Sequence, residues 1–359
     1  MRRRSWISLA TVALAASVLS AEGSVIHRLQ GSQPARWILV YVGGPNRPAY
    51  SANDFRDLLT VVDTEGRPTS WLFSGVIFSE LYARSRRTFT PAFPDPPATG
   101  ADWSEYLDSL LSPNGAIARL DTAVSKATLA IGPLRERLPV VVTIPFPFHL
   151  PRLDTLRFAG TLFHLGDDVA RAALASAYMD DVVNRFRNGR YSHVRLDGFY
   201  WLRESVEADD STLIPLVADR THRLGLRLLW IPFYSAPGAP SWRKYGFDEA
   251  WLQPNYFYQL SQPAIRLDSA VARARAWGLG IEVEFDHRLF KVPDYYDRLE
   301  PYLMALETAP DLRARSIAMY DGDGALIDLG RRRDLWHRAL YRRLVEDLGV
   351  PDSASGGKP

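Results

Sequence analysis

Eight times between Trp37 and Leu348 a short run of β-branched and aromatic residues gives way to a longer stretch with helical spacing, and this alternation constrains the 359-residue chain more than anything else in it. Alternation of this kind marks a parallel sheet whose strands are joined by crossover helices. The strand candidates are Trp37 to Val42, Trp71 to Phe78, Pro139 to Ile144, Val194 to Tyr200, Arg227 to Ile231, Glu249 to Pro254, Gly280 to Phe285 and Arg315 to Tyr320. Eight strands that each lead into a helix can close on themselves, whereas an open doubly wound sheet usually has fewer strands and a nucleotide fingerprint at its first turn. The chain has no G-x-G-x-x-G, phosphate-loop or G-x-S-x-G sequence. The expected fold is α/β, a single-domain (β/α)8 TIM barrel over residues 22–350.

End signals place the helices. Asp102 with Glu105 reads as a capping box for a helix opening on Trp103, Tyr106 and Leu107, which Pro113 breaks before a second helix, Ile117 to Leu129. Asp168 to Phe186 is the clearest amphipathic helix, with Asn188 and Gly189 in the position of a C-cap, and Arg266 to Trp277 ends on Gly278 in the same way. Asp297 to Leu312 and Arg331 to Leu348 supply the last two.

Residues 1–21 have the layout of a secretory signal: Arg2, Arg3 and Arg4, an apolar stretch from Trp6 to Val18, then Val18 and Ser20 before Ala21. The apolar run is short of the roughly 20 residues of a membrane span, so export to the periplasm or medium is expected, with an uncleaved anchor as the alternative. The chain has no Cys, which excludes disulfides, lipidation at cysteine and thiolate chemistry. Residues 351–359 read as a disordered tail. With 43 basic and 41 acidic residues the chain lacks the basic stripe that nucleic acid requires. The Arg run at 331–333 sits among Leu335, Trp336, Leu340 and Leu344 at helical spacing and reads as a solvated helix face. Seven scattered histidines and no H-E-x-x-H sequence argue against catalytic zinc. Asp321 to Gly324 lacks the later ligands of a calcium loop and reads as a turn, so neither metal nor cofactor is expected.

In such barrels the active site forms at the C-terminal ends of the strands. Strand one runs into Tyr41 and Asn46, strand two into Ser79 and Glu80, and strand four carries Asp197, Tyr200, Trp201 and then Glu204. Trp230 and Tyr234 follow strand five; Gln253, Asn255 and Tyr256 follow strand six; Tyr320 and Asp321 end strand eight. Strand seven says most. Its period of two turns Glu282, Glu284 and Asp286, followed by His287, to one face and Ile281, Val283 and Phe285 to the other. The apolar face must meet the helices, so the carboxylates point to the barrel axis, where like charges are costly unless they bind a ligand or share protons. For Glu282 the alternative is a pair with an arginine near the barrel floor. Glu204 beside Trp201 has the setting that raises a carboxyl's pKa toward that of a general acid; the alternative is a first-turn helix carboxylate.

Two carboxylates facing each other across a barrel mouth are the minimum apparatus for glycoside hydrolysis. The aromatic side chains at the strand ends suit the flat apolar faces of sugar rings, and the stretch Phe148 to Gly166, with His149, Arg152, Asp154, Arg157 and His164, offers a lid or subsite wall. The expected partner is therefore a carbohydrate, either as substrate of an enzyme with Glu204 as acid/base and Glu284 as nucleophile, or as ligand of a non-catalytic glycan-binding barrel. The remaining residues named at the strand ends, Tyr41, Asn46, Asp197, Tyr200, Trp201, Trp230, Tyr234, Gln253, Asn255, Tyr256, Glu282, Asp286, His287, Tyr320 and Asp321, are the candidate ligand contacts.

Glu204 and Glu284 resemble the acid/base and nucleophile of the large clan of retaining barrel glycosidases, although that clan usually has Asn before its strand-four Glu and this chain has Arg203. Through the segments Tyr41 to Asn46 (YVGGPN), Asp102 to Asp108 (DWSEYLD) and Gly198 to Glu204 (GFYWLRE), the chain resembles a bacterial family of secreted proteins known as domain of unknown function 4855. The resemblance runs from about Trp37 to the last helix and implies a barrel related to glycoside hydrolases and an association with polysaccharide use. The residues it singles out are Gly43, Gly44, Pro45, Asn46, Trp201 and Glu204.

Overall fold

The computed structural model describes residues 35–150 and 154–350. The signal segment 1–21, the tail 351–359 and Arg152 lie outside the described residues. The eight barrel strands are β1 (Ala35–Tyr41), β2 (Gly75–Ser79), β3 (Leu138–Ile144), β4 (Val194–Trp201), β5 (Arg227–Trp230), β6 (Glu249–Leu252), β7 (Gly280–Glu284) and β8 (Ser316–Tyr320). Each pairs in parallel with its neighbours in sequence, and β1 closes the barrel on β8. All eight fall on the expected runs. Outside them lie two antiparallel hairpins, Thr60–Val62 with Pro68–Trp71 and Thr155–Phe158 with Thr161–His164.

The helices are α1 (Ala52–Leu59), α2 (Gly100–Leu111), α3 (Ala116–Ile131), α4 (Asp168–Gly189), α5 (Leu213–Arg223), α6 (Ile265–Trp277), α7 (Glu300–Glu307), α8 (Pro310–Arg315), α9 (Ala325–Arg331) and α10 (Leu335–Asp347). Among the described residues no helix is long and apolar enough to cross a membrane. Their ends correct the sequence reading in four places. The capping box of α2 is Thr99 with Asp102, each side chain accepting the other's backbone N–H, so Asp102 stands at the third helical position and the helix opens three residues earlier than expected. At the end of α4 the left-handed residue is Arg190 (φ 51°), not a glycine; Gly189 is the last helical residue, and its missing Cβ leaves room for the Tyr191 ring, which a Cβ would approach to 2.5 Å. The expected helix from Asp297 to Leu312 is two, α7 and α8, because Pro310 has no N–H to continue the ladder. That from Arg331 to Leu348 is also two: Arg332 is extended, and Asp334 caps α10 by accepting the His337 N–H at 3.1 Å. Gly278, left-handed at φ 70°, ends α6 as expected.

The stretch read as a lid folds as the second hairpin and is pinned to the helix layer. Phe158 packs between Trp103 of α2 and Tyr178 of α4, each ring 6.0 Å away, while His149, Asp154, Arg157 and His164 are exposed.

The barrel floor is an ion-pair layer capped by tryptophan. Trp37 and Trp251, on strands three apart, meet across the axis at 6.1 Å, and Gly75 makes room, since a Cβ there would lie 2.4 Å from the Trp37 ring. The Arg227 guanidinium lies 5.4 Å from that ring and pairs with Glu249 at 2.9 Å and with Asp197, whose other oxygen meets Arg195. Asp197 is thus removed from the mouth, where the sequence reading put it. The β3–β4 register slips between Leu196 and Gly198, and the unpaired Asp197 turns down to the guanidinium groups.

Candidate active site

Glu282 and Glu284 share the inward face of β7, and Ile281, Val283 and Phe285 pack outward, as the alternation requires. The strand ends at Glu284, so Asp286 leaves this face: its carboxylate takes the Arg288 guanidinium at 2.7 Å and the Arg288 N–H at 2.8 Å. Glu284 is fully buried, and the Tyr302 hydroxyl of α7 donates to its Oε2 at 2.8 Å. Burial pushes the Glu284 carboxyl up, while that hydroxyl, the backbone N–H groups of Asn255 and Tyr256, and the charge of Arg266 hold it down. Among the described residues, Glu284 Oε1 and Glu282 Oε2 have no hydrogen-bond partner within the usual geometry. Glu282 does not pair with an arginine at the floor; it lies beside Gln253. Burial first, then the charges of Glu284 and Glu204, drive its carboxyl well up.

Glu204 follows β4 in a loop held on both sides. The Trp230 indole N–H donates to the Arg203 carbonyl at 2.8 Å, and the Phe233 N–H to the Glu204 carbonyl at 3.3 Å. Arg203 turns its guanidinium away, over the Phe146 ring and onto buried Asp210 at 2.6 Å, which Arg171 also contacts at 3.4 Å. Burial raises Asp210 to about 6 despite these two cations. Glu204 itself stands in a recess, reached by some water but walled by protein. Burial, and then the charge of Glu284, push it up to about 8. Its hydrogen-bonding environment differs from that of Glu284: among the described residues none donates to its carboxyl.

Around these three carboxyls stand Tyr41, Tyr200, Gln253, Asn255, Tyr256 and Tyr320. Tyr41 and Tyr320 lie 5.0 Å apart, and burial keeps the hydroxyls of Tyr41 and Tyr200 protonated, reinforced by Glu204 next to both. Asn255, at φ 50°, donates to the Gln253 side chain at 2.6 Å and accepts the Tyr234 N–H at 2.8 Å. Tyr256 packs edge-on to Tyr302 at 5.7 Å.

Other residues expected at the mouth are engaged elsewhere. Trp201 is buried with its ring on Phe146, and Trp230 is stacked on Phe247 at 4.7 Å and 8°, so neither offers a face. Arg266 and Arg273 lie over the Tyr234 ring at 3.8 and 4.1 Å. His287 bridges the Gly322 carbonyl and Asp328. Asp321, raised to about 6 by burial, accepts the N–H of Leu326 at 3.1 Å in the turn before α9. Asn46 is the exposed end of a tight loop, at φ 62°. Sequence reasoning passed over Tyr302, which arrives from a helix, and Arg47, which clamps Glu80 through two 2.8 Å contacts and reaches Asp323 at 2.9 Å. Among the described residues no three acidic or histidine side chains are placed to hold one metal ion.

A closed parallel barrel with an unpaired carboxyl cluster at the C-terminal ends of its strands defines a TIM-barrel protein with a polar site in its mouth. The chain belongs to the family described as Domain of unknown function (DUF4855), whose model matches residues 36–346. No curated protein matches it significantly. Among solved structures it is similar to a GH18 chitinase from Pseudoalteromonas aurantia, with 10% identity, 87% of this chain and 100% of that chain covered, and a TM-score of 0.39. A GH18 chitinase from Flavobacterium johnsoniae gives 11%, 82%, 89% and 0.42 for the same measures. A mutant tryptophan synthase alpha-subunit from Pyrococcus furiosus gives 11%, 88%, 97% and 0.37. Likeness at this level carries nothing about chemistry.

Proposed function

We propose that the protein is an exported glycoside hydrolase-like enzyme acting on a poly- or oligosaccharide, with Glu204 as general acid and Glu284 as nucleophile or base. The observation that carries this reading is the unequal setting of two neighbouring carboxyls. Glu204, raised to about 8 with no donor among the described residues, has a proton to give to a leaving glycosidic oxygen. Glu284, raised by burial only to about 7 because the Tyr302 hydroxyl, two backbone N–H groups and the field of Arg266 hold it down, is the more readily ionised of the two. The glycosidic bond then breaks with the proton passing from Glu204 to the departing sugar, while Glu284 attacks the anomeric carbon or takes a proton from the attacking water. Glu282, beneath them, is pushed toward its neutral form by burial and by the charges of Glu284 and Glu204. The layout of residues 1–21 supports export. A purely glycan-binding role fits less well, because Trp201, Trp230 and Tyr234, which would supply the platforms, have their faces covered.

Reducing-sugar release from a panel of polysaccharides by the wild type, Glu204→Gln and Glu284→Gln tests the assignment. Turnover by the wild type that both variants abolish is the expected result; binding without turnover, or turnover that survives Glu284→Gln, overturns it. Carboxyl groups about 5–5.5 Å apart in a liganded structure would mean retention of configuration and about 6.5–9.5 Å inversion.

A further inference from the structure

Two of the three sequence segments that mark the family give the carboxyl cluster only Tyr41. The loop after β1 and the helix α2 meet instead at a separate cavity of about 480 Å3, bordered by Gly43, Gly44 and Arg47 on one side and by Glu105, Asp108, Ser109 and Ser112 on the other. Glu105, Asp108 and Ser109 present one face of α2, and Ser112 is its extended C-cap. Gly43, at φ 92°, presses the loop against that face, since a Cβ there would lie 2.4 Å from the Ser109 hydroxyl. The start of α3 forms the third wall: it has no side-chain cap, and Arg119 leaves its buried Nε without a partner.

A second cavity, of about 720 Å3, adjoins the first and shares Asp108 and Ser112 with it. It reaches Tyr191, whose ring is partly exposed, is held edge-on by Phe186 at 5.0 Å, and is given room by Gly189. Each cavity falls in the size range of small-ligand sites, roughly 300–1,000 Å3. Three of the five arginines in the walls are already matched, Arg47 to Glu80 and Asp323, Arg84 to Glu105, and Arg185 to Asp108 and Asp181, while Arg119 donates to the Asn114 carbonyl. An anion would have to displace carboxylates at those three, whereas a neutral polyhydroxyl chain meets donors, acceptors and one flat ring along the whole furrow. Arg47 joins the furrow to the mouth, for its guanidinium also lies 4.6 Å over the ring of Tyr41.

We propose that this furrow is a second glycan site, which holds a neutral polysaccharide chain beside the mouth. The proposal rests on the glycan reading of the carboxyl cluster and locates where the polymer, as distinct from the reacting ring, is bound.

Native affinity electrophoresis of the full chain through gels containing hydroxyethylcellulose, arabinoxylan, laminarin, galactomannan or glycol chitin, with polygalacturonate as the anionic arm, tests it. At least one neutral polymer should retard the wild type. Tyr191→Ala and the groove-filling Ser112→Trp should each weaken that retardation about tenfold, and the exposed Asn188→Ala should do so to a smaller degree. Circular dichroism identifies variants that fail to fold, and Asn188→Ala guards against that outcome. Glu284→Gln should be retarded like the wild type. No retardation by any neutral polymer, retardation that survives in folded Tyr191→Ala and Ser112→Trp, or stronger retardation by polygalacturonate overturns the furrow. Retarded wild type that releases no reducing sugar leaves the furrow standing and removes the hydrolase; turnover of a polymer without dependence on the furrow does the reverse.

Discussion

Replacing Glu204 by Gln removes the titrating group while keeping its size, and it should change how stability depends on pH. In the folded chain this carboxyl is raised from an ordinary 4.5 to about 8. A group raised on folding stabilises fully below its unfolded value and loses that contribution as pH climbs to its folded value, here from about 4.5 to about 8. At ~1.4 kcal/mol per tenfold, the full difference is roughly 5 kcal/mol as an upper bound. Glu204 is reached by some water, which screens the penalty, so a net effect of ~2 kcal/mol is expected. Urea unfolding followed by tryptophan fluorescence at pH 4.5, 6 and 8, at one ionic strength, measures it. Asp210 and Asp321 are present in both chains and cancel in the difference, while the Glu282–Glu284 pair, relieved of the Glu204 charge, shifts the difference in the same direction. Glu204→Gln should therefore gain ~2 kcal/mol on the wild type between pH 4.5 and 8. Parallel stability curves would refute the reasoning, because a Glu204 that ionises near 4.5 cannot be the protonated acid of the proposed reaction.

Three further outcomes follow from single contacts. Tyr302→Phe deletes a hydrogen bond to a carboxylate worth ~1.5–3 kcal/mol, so the Glu284 titration should move up by about 1–2 pH units in carboxyl-carbon NMR; an unmoved titration would mean that the hydroxyl does not favour the charged form. Arg203→Met removes one of the two cations that offset the burial of Asp210, so at pH 7 it should cost ~1–3 kcal/mol and lower the thermal midpoint by several degrees; an unchanged midpoint would count against the clamp on the Glu204 loop. Gly44→Ala puts a Cβ 2.3 Å from the Glu80 carboxylate and should cost ~1–3 kcal/mol in urea unfolding, while Gly166→Ala, with open space around it, should cost almost nothing.

How far the sequence could be read depended on whether a residue's partner was near it in the chain. All eight strands were legible, since a β-rich run between turn signals is local, and the inward set of β7 was legible because period two fixes two faces. The helix ends were less so: Thr99 could not outrank Asp102 as a cap without knowing which backbone was extended, and Gly189, the residue suited to a left-handed cap, instead makes room for the Tyr191 ring while Arg190 takes the left-handed position. The bulge that turns Asp197 to the floor has no composition signal, as it exists only in the pairing of β3 with β4. Trp201 and Trp230 stand at strand ends as expected, but a strand end has two faces, and theirs is the one against neighbouring aromatic rings.

The acids show the same limit and explain why the site emerges by subtraction. With 43 basic and 41 acidic residues, nearly every carboxylate has a guanidinium to meet, and no sequence pattern says which ones go without. The barrel assigns them. Arg227 takes Asp197 and Glu249 at the floor, Arg47 takes Glu80 at the rim, Arg203 takes Asp210, and Arg288 takes Asp286. Glu204, Glu282 and Glu284 are brought together without an ion pair, among tyrosines. A buried carboxyl with no cation must hold its proton, find hydrogen-bond donors or wait for a ligand. Burial pushes Glu282 toward its neutral form, Glu284 has Tyr302, and Glu204 has neither donor nor cation among the described residues. Glu204 is also the one of the three that water reaches, so it is the acid from which a substrate oxygen can take a proton.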